Sequence, residues 1–209
     1  LRYKKLSKDF YMQPCLRAAK ELIGKILVRK EKGKLYSGVI VETEAYLGSR
    51  DAASHSFNGP TKRNSVMFGE GGFAYVYFTY GNHYCVNAVT GKAGVAHAVL
   101  IRALEPLEGI SFMKKNRGTE DVYLLCRGPG NLCRAMKIDG SLNGASLLGD
   151  EIFLAEFPRE KRIKVKRTLR IGITKNPGKL YRFIDPQSPF VSRINYKKLL
   201  KANLKKVSA

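Results

Sequence analysis

Two pairs of strand-like runs, each folding back over a short turn, commit this chain to an antiparallel sheet. Leu27–Lys30 and Tyr36–Tyr46 flank a charged turn at Gly33, while Phe73–Tyr80 and Tyr84–Thr90 flank Gly81, Asn82 and His83. Runs rich in Val, Ile and Tyr, bounded by such turn residues, read as β-hairpins. Val95–Leu104 adds a strand in which Arg102 stands alone among apolar residues, and Ile152–Phe157 and Thr168–Ile173 return to strand character. The spacing of Leu16, Ala19, Leu22, Ile23 and Ile26 predicts a short amphipathic helix running into the first strand. Further helices are expected over Leu107–Lys115 and Asn131–Ile138, the second opened by the turn at Gly128–Asn131. Residues 1–9 read as a polar lead-in, and Tyr196–Lys206 as a basic helix or a frayed end. With 209 residues, 44% of them hydrophobic, the chain can fill one core and is short for two, so a single α+β domain over residues 1–209 is expected.

Thirty-eight Lys and Arg face seventeen Asp and Glu, a net charge of +21. Such an imbalance favours a polyanionic partner, nucleic acid before an anionic membrane surface, over a basic face kept for solubility. Sixteen of the bases and only two acids, Glu160 and Asp185, fall between Arg159 and Ala209, so the last quarter of the chain carries most of the excess. The four cysteines form no CxxC pair, and with three histidines they give no zinc-ligand spacing. Neither a metal nor a cofactor is expected. No signal-peptide pattern is visible at the start, and no apolar run approaches the roughly 18 to 20 residues of a membrane span. The expectation is a monomer with reduced, core-filling thiols and no membrane partner, cytoplasmic and nucleoid-associated in a prokaryote or nuclear in a eukaryote.

Residues 47–72 hold Gly48, Gly59, Pro60, Gly69, Gly71 and Gly72, irregular backbone of the kind that carries site residues on a rigid scaffold. Just before it, Glu42 and Glu44 are two apart and share a strand face with Tyr46. Such a carboxylate pair is either a solvated edge or a site, and apolar Val39–Val41 beside it favour a core strand and a general base. A guanidinium at Arg102 cannot stay buried without an anionic partner: Glu44, Glu42 or a phosphate, unless its head reaches solvent or Glu105. His55 lies on the loop leaving the carboxylate strand, where it could make an ordinary hydrogen bond or join a site. Tyr75, Tyr77, Tyr80 and Tyr84 could be sheet packing, or a stacking platform for a nucleic-acid base with a wedge at the hairpin tip. Asn87 offers an amide that could read a base edge.

Together the strings VETEAYLG, AASHS, RNSVMF, YVYFTYGNHYCVN, LIRALEPLEG and CRGPGNLCRAMKI resemble the alkyladenine (3-methyladenine) DNA glycosylases of mammalian type, over most of residues 25–193. Their order and spacing, including nine residues from Tyr46 to His55, carry the likeness. The resemblance implies a curved, mostly antiparallel sheet flanked by helices, with a protruding β-hairpin. It also implies a monofunctional enzyme of base excision repair that flips damaged purines of the 3-methyladenine, hypoxanthine and ethenoadenine class out of double-stranded DNA. By that likeness Glu44 would activate water, and Tyr46 and Tyr77 would stack on the two faces of the extruded base. His55 would lie against the base, Asn87 would crowd the 2-amino group of guanine, Arg102 would pair with the catalytic water or a nearby phosphate, and Tyr80 would intercalate. Asn82 and His83 differ from better-known animal members, and residues 114–125 and the basic tail from about 194 align poorly. Two other readings compete: a catalytically silent DNA-binding protein of the same fold, and a carbohydrate glycosidase using Glu42 and Glu44. The second fits poorly, because residues two apart lie about 6.5 to 7 Å apart along one strand and the basic charge does not suit a neutral glycan.

Overall fold

The computed structural model describes residues 3–157 and 163–192. Strands β1 (Ile26–Glu31) and β2 (Lys34–Leu47) form the first expected hairpin, and β3 (Ala74–Thr79) and β4 (His83–Thr90) form the second. The strand β5 (His97–Glu108) pairs with both β4 and β2, so the two hairpins become one antiparallel sheet. β6 (Ile152–Ala155) extends it beyond β1. β2 is longer than its partner β1, whose pairing stops at Val39. Along Glu42–Glu44 the vacated edge is taken by β8 (Arg182–Ile184), with β7 (Lys166–Thr168) outside it. The path β3-β4-β5-β2-β1-β6, with β8 and β7 branching from β2, makes the curled antiparallel α+β fold that was expected.

The pleat of this sheet sorts the sequence into a core and a site. Ala45, Val76, Val86, Ala88, Val99 and Ile101 point to one side, where they pack in the main core with residues of α1 (Lys8–Met12), α2 (Cys15–Glu21) and α5 (Pro129–Ala135). Their neighbours one position away point to the other side. There Tyr75 faces Asn87 across the strands, Tyr77 faces Cys85, and Leu100 faces both Asn87 and Glu44. Register shifts at Ile40/Glu42 and Glu42/Thr43 leave Arg102 without a cross-strand partner, opposite the two glutamates. Such paired irregularities re-aim side chains locally without breaking the sheet.

Helices α3 (Ile110–Arg117) and α4 (Val122–Leu125) complete the set among the described residues. The helix expected from Leu107 begins later, because Leu107 and Glu108 belong to β5 and the chain turns at Gly109 with φ 76°. A Cβ there would sit 2.3 Å from the Leu35 carbonyl oxygen, so glycine is required. The helix expected from Asn131 starts instead at Pro129, whose missing N–H costs nothing in a first turn. The strand expected over Thr168–Ile173 is corrected: β7 ends at Thr168, and Arg170 and Ile171 leave the sheet to bond Asp51 and Glu44. The reading of Tyr196–Lys206 lies outside the described residues.

Candidate active site

Glu42 and Glu44 are both fully buried, with no exposed surface. Burial of a charge costs several kcal/mol per ion unless it is paired and hydrogen-bonded, and here each carboxylate is. Arg102, 8% exposed, donates from Nε to Glu42 Oε1 at 2.9 Å and from Nη1 to Glu44 Oε2 at 3.3 Å. Of the partners considered for this guanidinium, both glutamates are engaged at once. The Tyr46 hydroxyl donates to Glu44 Oε2 at 2.8 Å, and the Ile171 backbone N–H donates to Glu44 Oε1 at 2.8 Å. Burial, and then the Glu44 charge, push the Tyr46 phenol well above its ordinary range, so it stays a donor. An ionised carboxylate has about four acceptor positions. Three of those on Glu44 are taken by these bonds.

Above this floor lies a cavity of about 180 Å³. Tyr46, Tyr77, His55, Asn87, Arg102 and Tyr80 all line it, on residues separated by up to 56 positions. Site cavities for drug-sized ligands run to roughly 300 to 1,000 Å³, so this one suits a single ring system. Tyr77 meets the His55 ring edge-on, centroids 4.5 Å apart. Tyr75 lies beneath, its hydroxyl 3.0 Å from His55 Nδ1. Burial pushes the Tyr75 phenol up to about 12, so it stays protonated. Burial and then Arg63 hold His55 below its ordinary range, consistent with a neutral ring. Asn64 anchors this loop by donating to the His55 carbonyl at 2.9 Å. The Asn87 amide donates to the Tyr75 carbonyl at 3.0 Å, which fixes its orientation.

Behind Tyr46 stands Arg170, its guanidinium 4.8 Å from the ring centroid. Asp51 clasps Arg170 through both carboxylate oxygens, at 2.5 and 2.8 Å, and Arg170 donates to the Ala45 carbonyl at 3.0 Å. This pair pins the loop after β2 to the segment after β7. At the far end of the same hairpin face the environment reverses. Tyr80 is 86% exposed and holds φ at 52°, with Gly81 following at φ 71°. A left-handed aromatic residue is rare and costs on the order of 1 to 3 kcal/mol. The hairpin beneath it is braced, because His83 packs over Gly130, where a Cβ would come within 2.7 Å of the ring.

The methylpurine-DNA glycosylase family is matched by residues 9–189, a span that contains every residue lining the cavity. The chain belongs to this family. A protein of Chlorobium phaeobacteroides, provisionally named a 3-methyladenine DNA glycosylase, is 50% identical over 190 residues, covering 90% of this chain and 96% of that one. Similarly named proteins of Prosthecochloris aestuarii and Carboxydothermus hydrogenoformans are 49% and 47% identical, covering 89% and 90% of this chain and 90% and 98% of their own lengths. The protein is thus a DNA glycosylase, a hydrolase of N-glycosyl bonds.

All seven residues given a role by the family resemblance meet at this glycosylase cavity: six line it and Glu44 lies just below, bonded to three residues that line it, Tyr46, Arg102 and Ile171. Sequence reasoning missed Cys85, Ala98 and Leu100 on the floor, although counting by twos from Asn87 and Arg102 would have reached them. It also missed Pro129, Ile171 and Ile173, as well as Asp51, Arg170 and Arg182, for which no local pattern exists. Among the described residues no three His, Cys, Asp or Glu side chains gather in a metal-binding arrangement, and no helix is long and apolar enough to cross a membrane.

Proposed function

We propose that this glycosylase is monofunctional, extrudes damaged purines of the 3-methyladenine, hypoxanthine and ethenoadenine class from duplex DNA, and leaves an abasic site. The observation that carries this reading is the joining, on one sheet face, of a buried, hydrogen-bonded carboxylate and a small aromatic-walled cavity with an exposed tyrosine at its rim. A base within a duplex is out of reach of any such cavity, so the nucleotide must leave the stack, at about a few kcal/mol. Tyr80 fills the vacated space, and Tyr46 and Tyr77 hold the purine, with stacking worth roughly 1 to 3 kcal/mol per base.

Glu44 then takes a proton from the attacking water as its oxygen bonds to the anomeric carbon. The glycosidic bond breaks with its electron pair leaving on the purine, and the carboxylate steadies the oxocarbenium-like sugar meanwhile. An alkylated purine already carries a positive charge and departs as a neutral base. His55, held neutral, lies against the bound ring, and Asn87 excludes guanine through its 2-amino group. Among the described residues no lysine lines the cavity, in keeping with direct hydrolysis without a Schiff base.

Release of hypoxanthine from a hypoxanthine-containing duplex is the direct test, with an alkali-labile abasic site as product. Absence of release, with tight and salt-sensitive binding of the same duplex, would instead mark a silent DNA-binding protein.

A further inference from the structure

Arg102 serves two carboxylates unequally, with the closer contact, 2.9 against 3.3 Å, going to Glu42 and not to Glu44. Glu42 Oε1 is shared with Arg182 Nε at 2.6 Å, and Glu42 Oε2 accepts the Ser192 backbone N–H at 2.8 Å. Arg182 is 1% exposed and is fixed in turn by the Thr168 hydroxyl at 3.0 Å and the Ser192 carbonyl at 3.2 Å. Neither Glu42 nor Arg182 lines the cavity, so neither touches a bound base. Stability does not call for such a cluster, since buried ion pairs can often be exchanged for apolar residues without loss. Resting on the function proposed above, we propose that Glu42 and Arg182 are positioning residues that divide Arg102 between the two glutamates and so set the pH at which Glu44 works as a base.

The charges around Glu44 leave Arg102 as the adjustable one. On β2 it is flanked by Tyr46, a donor, and Glu42; from β5 comes Arg102; after β7 come the Ile171 N–H and Arg170, which Asp51 neutralises. Tyr77 on β3 and Cys85 on β4 also feel Glu44, and burial pushes both up, so they stay protonated and uncharged. From β8, Arg182 acts through Glu42. If Glu42 loses its charge, Arg102 is released to Glu44 and the ionised form of the base is favoured. If Arg182 loses its charge, Glu42 draws Arg102 away, two carboxylates share one guanidinium, and protonation of Glu44 becomes easier.

The test is single-turnover excision from one hypoxanthine duplex as a function of pH, with each variant compared to wild type so that titration of the substrate cancels. Glu42→Gln should move the acid limb down and Arg182→Gln should move it up, each by about one pH unit, the size expected for a charge partner within hydrogen-bonding reach. Arg182→Lys keeps the charge and should return the limb most of the way. Folded variants that both keep the wild-type limb, or that both move it the same way, overturn the proposal. Should Arg182→Gln fail to fold, Glu42→Gln carries the test alone: a downward move of the limb is the expected result, and an unmoved or raised limb overturns the proposal. A wild-type protein that releases no base ends the reading of the function itself, a result distinct from an active enzyme whose limb does not move.

Discussion

The floor of the cavity and the tip of the β3–β4 hairpin belong to one sheet and stand at opposite extremes. Glu44 has no exposed surface and three hydrogen-bond partners, whereas Tyr80 is 86% exposed on a left-handed backbone. At the floor, each charge is held by several neighbours, so its geometry is fixed before any substrate arrives. At the tip, packing contributes little to Tyr80, and the backbone alone presents the ring to solvent. Chemistry and DNA engagement should therefore fail independently. The floor should govern the rate on bound DNA, and the tip should govern how well a duplex is opened and kept.

The sharpest break is Glu44→Gln, which keeps the shape of the floor and removes the carboxylate proposed as its base. Excision should fall by about 100- to 10,000-fold while affinity for damaged duplex stays within a few-fold; near-normal single-turnover release would sink the role given to Glu44. Next is Asp51→Ala, which leaves Arg170 buried without a counter-charge behind Tyr46. Loss of one partner of a buried pair costs about 3 to 5 kcal/mol, readable as a lowered urea midpoint; an unchanged midpoint would show that water reaches Arg170.

The charged floor also predicts acid sensitivity. Burial pushes Glu42 up, but Arg102 and Arg182 outweigh it and hold the carboxyl below its ordinary range, and Arg170 does the same for Asp51. The unfolded chain then binds more protons than the folded one, so this stability is complete above about pH 4 and is lost as pH falls through the lowered folded values. His55 and His97 are lowered by burial and then by Arg63 and Arg50, and they act in the same direction from about pH 6.5 downward. Urea unfolding should therefore give a free energy that is flat at neutral pH and declines in two stages on acidification. A rise in stability between neutral and mildly acidic pH would contradict the pairing described.

At the tip the expected effects are smaller and opposite in sign for stability and function. Tyr80→Gly should raise stability by roughly 0.5 to 1 kcal/mol, because glycine adopts the left-handed backbone freely, while retention of an abasic-site duplex weakens about tenfold with the loss of one stacking contact. A variant that both destabilises the fold and binds the duplex normally would reverse the contrast between floor and tip. The smallest functional change is expected for Asn87→Ser, which should raise guanine release relative to hypoxanthine release by a few-fold, within the roughly 1 to 3 kcal/mol that one polar contact to a base commands, while loss of the buried bond to the Tyr75 carbonyl lowers stability by about 1 kcal/mol. An unchanged ratio removes Asn87 from selectivity.

Much of this layout was legible in the order of residues. Alternation by twos placed Glu42, Glu44 and Tyr46 on one face, and Tyr75 with Tyr77 on another strand's face, before any pairing was known. The turn at Gly81–His83 located the tip, and the solitary Arg102 in AVLIRAL announced a buried anionic partner. Local periodicity could not say that one guanidinium serves both glutamates, because that depends on the register shifts that set Arg102 opposite them. Nor could it show that residues 169–171 abandon the strand pattern, since their partners Asp51 and Glu44 lie more than 110 positions earlier.

By itself the sequence determined the hairpins, the basic surface and the residue types able to do acid–base and stacking work, because these follow from spacing and side-chain chemistry within a few residues. The tertiary structure alone decided that both carboxylates are sealed and how Arg102 is shared between them, because those outcomes turn on how one long strand exchanges β1 for β8 along its edge. Where that exchange occurs, Arg182 meets Glu42, and the second glutamate of the motif is separated in environment from the first.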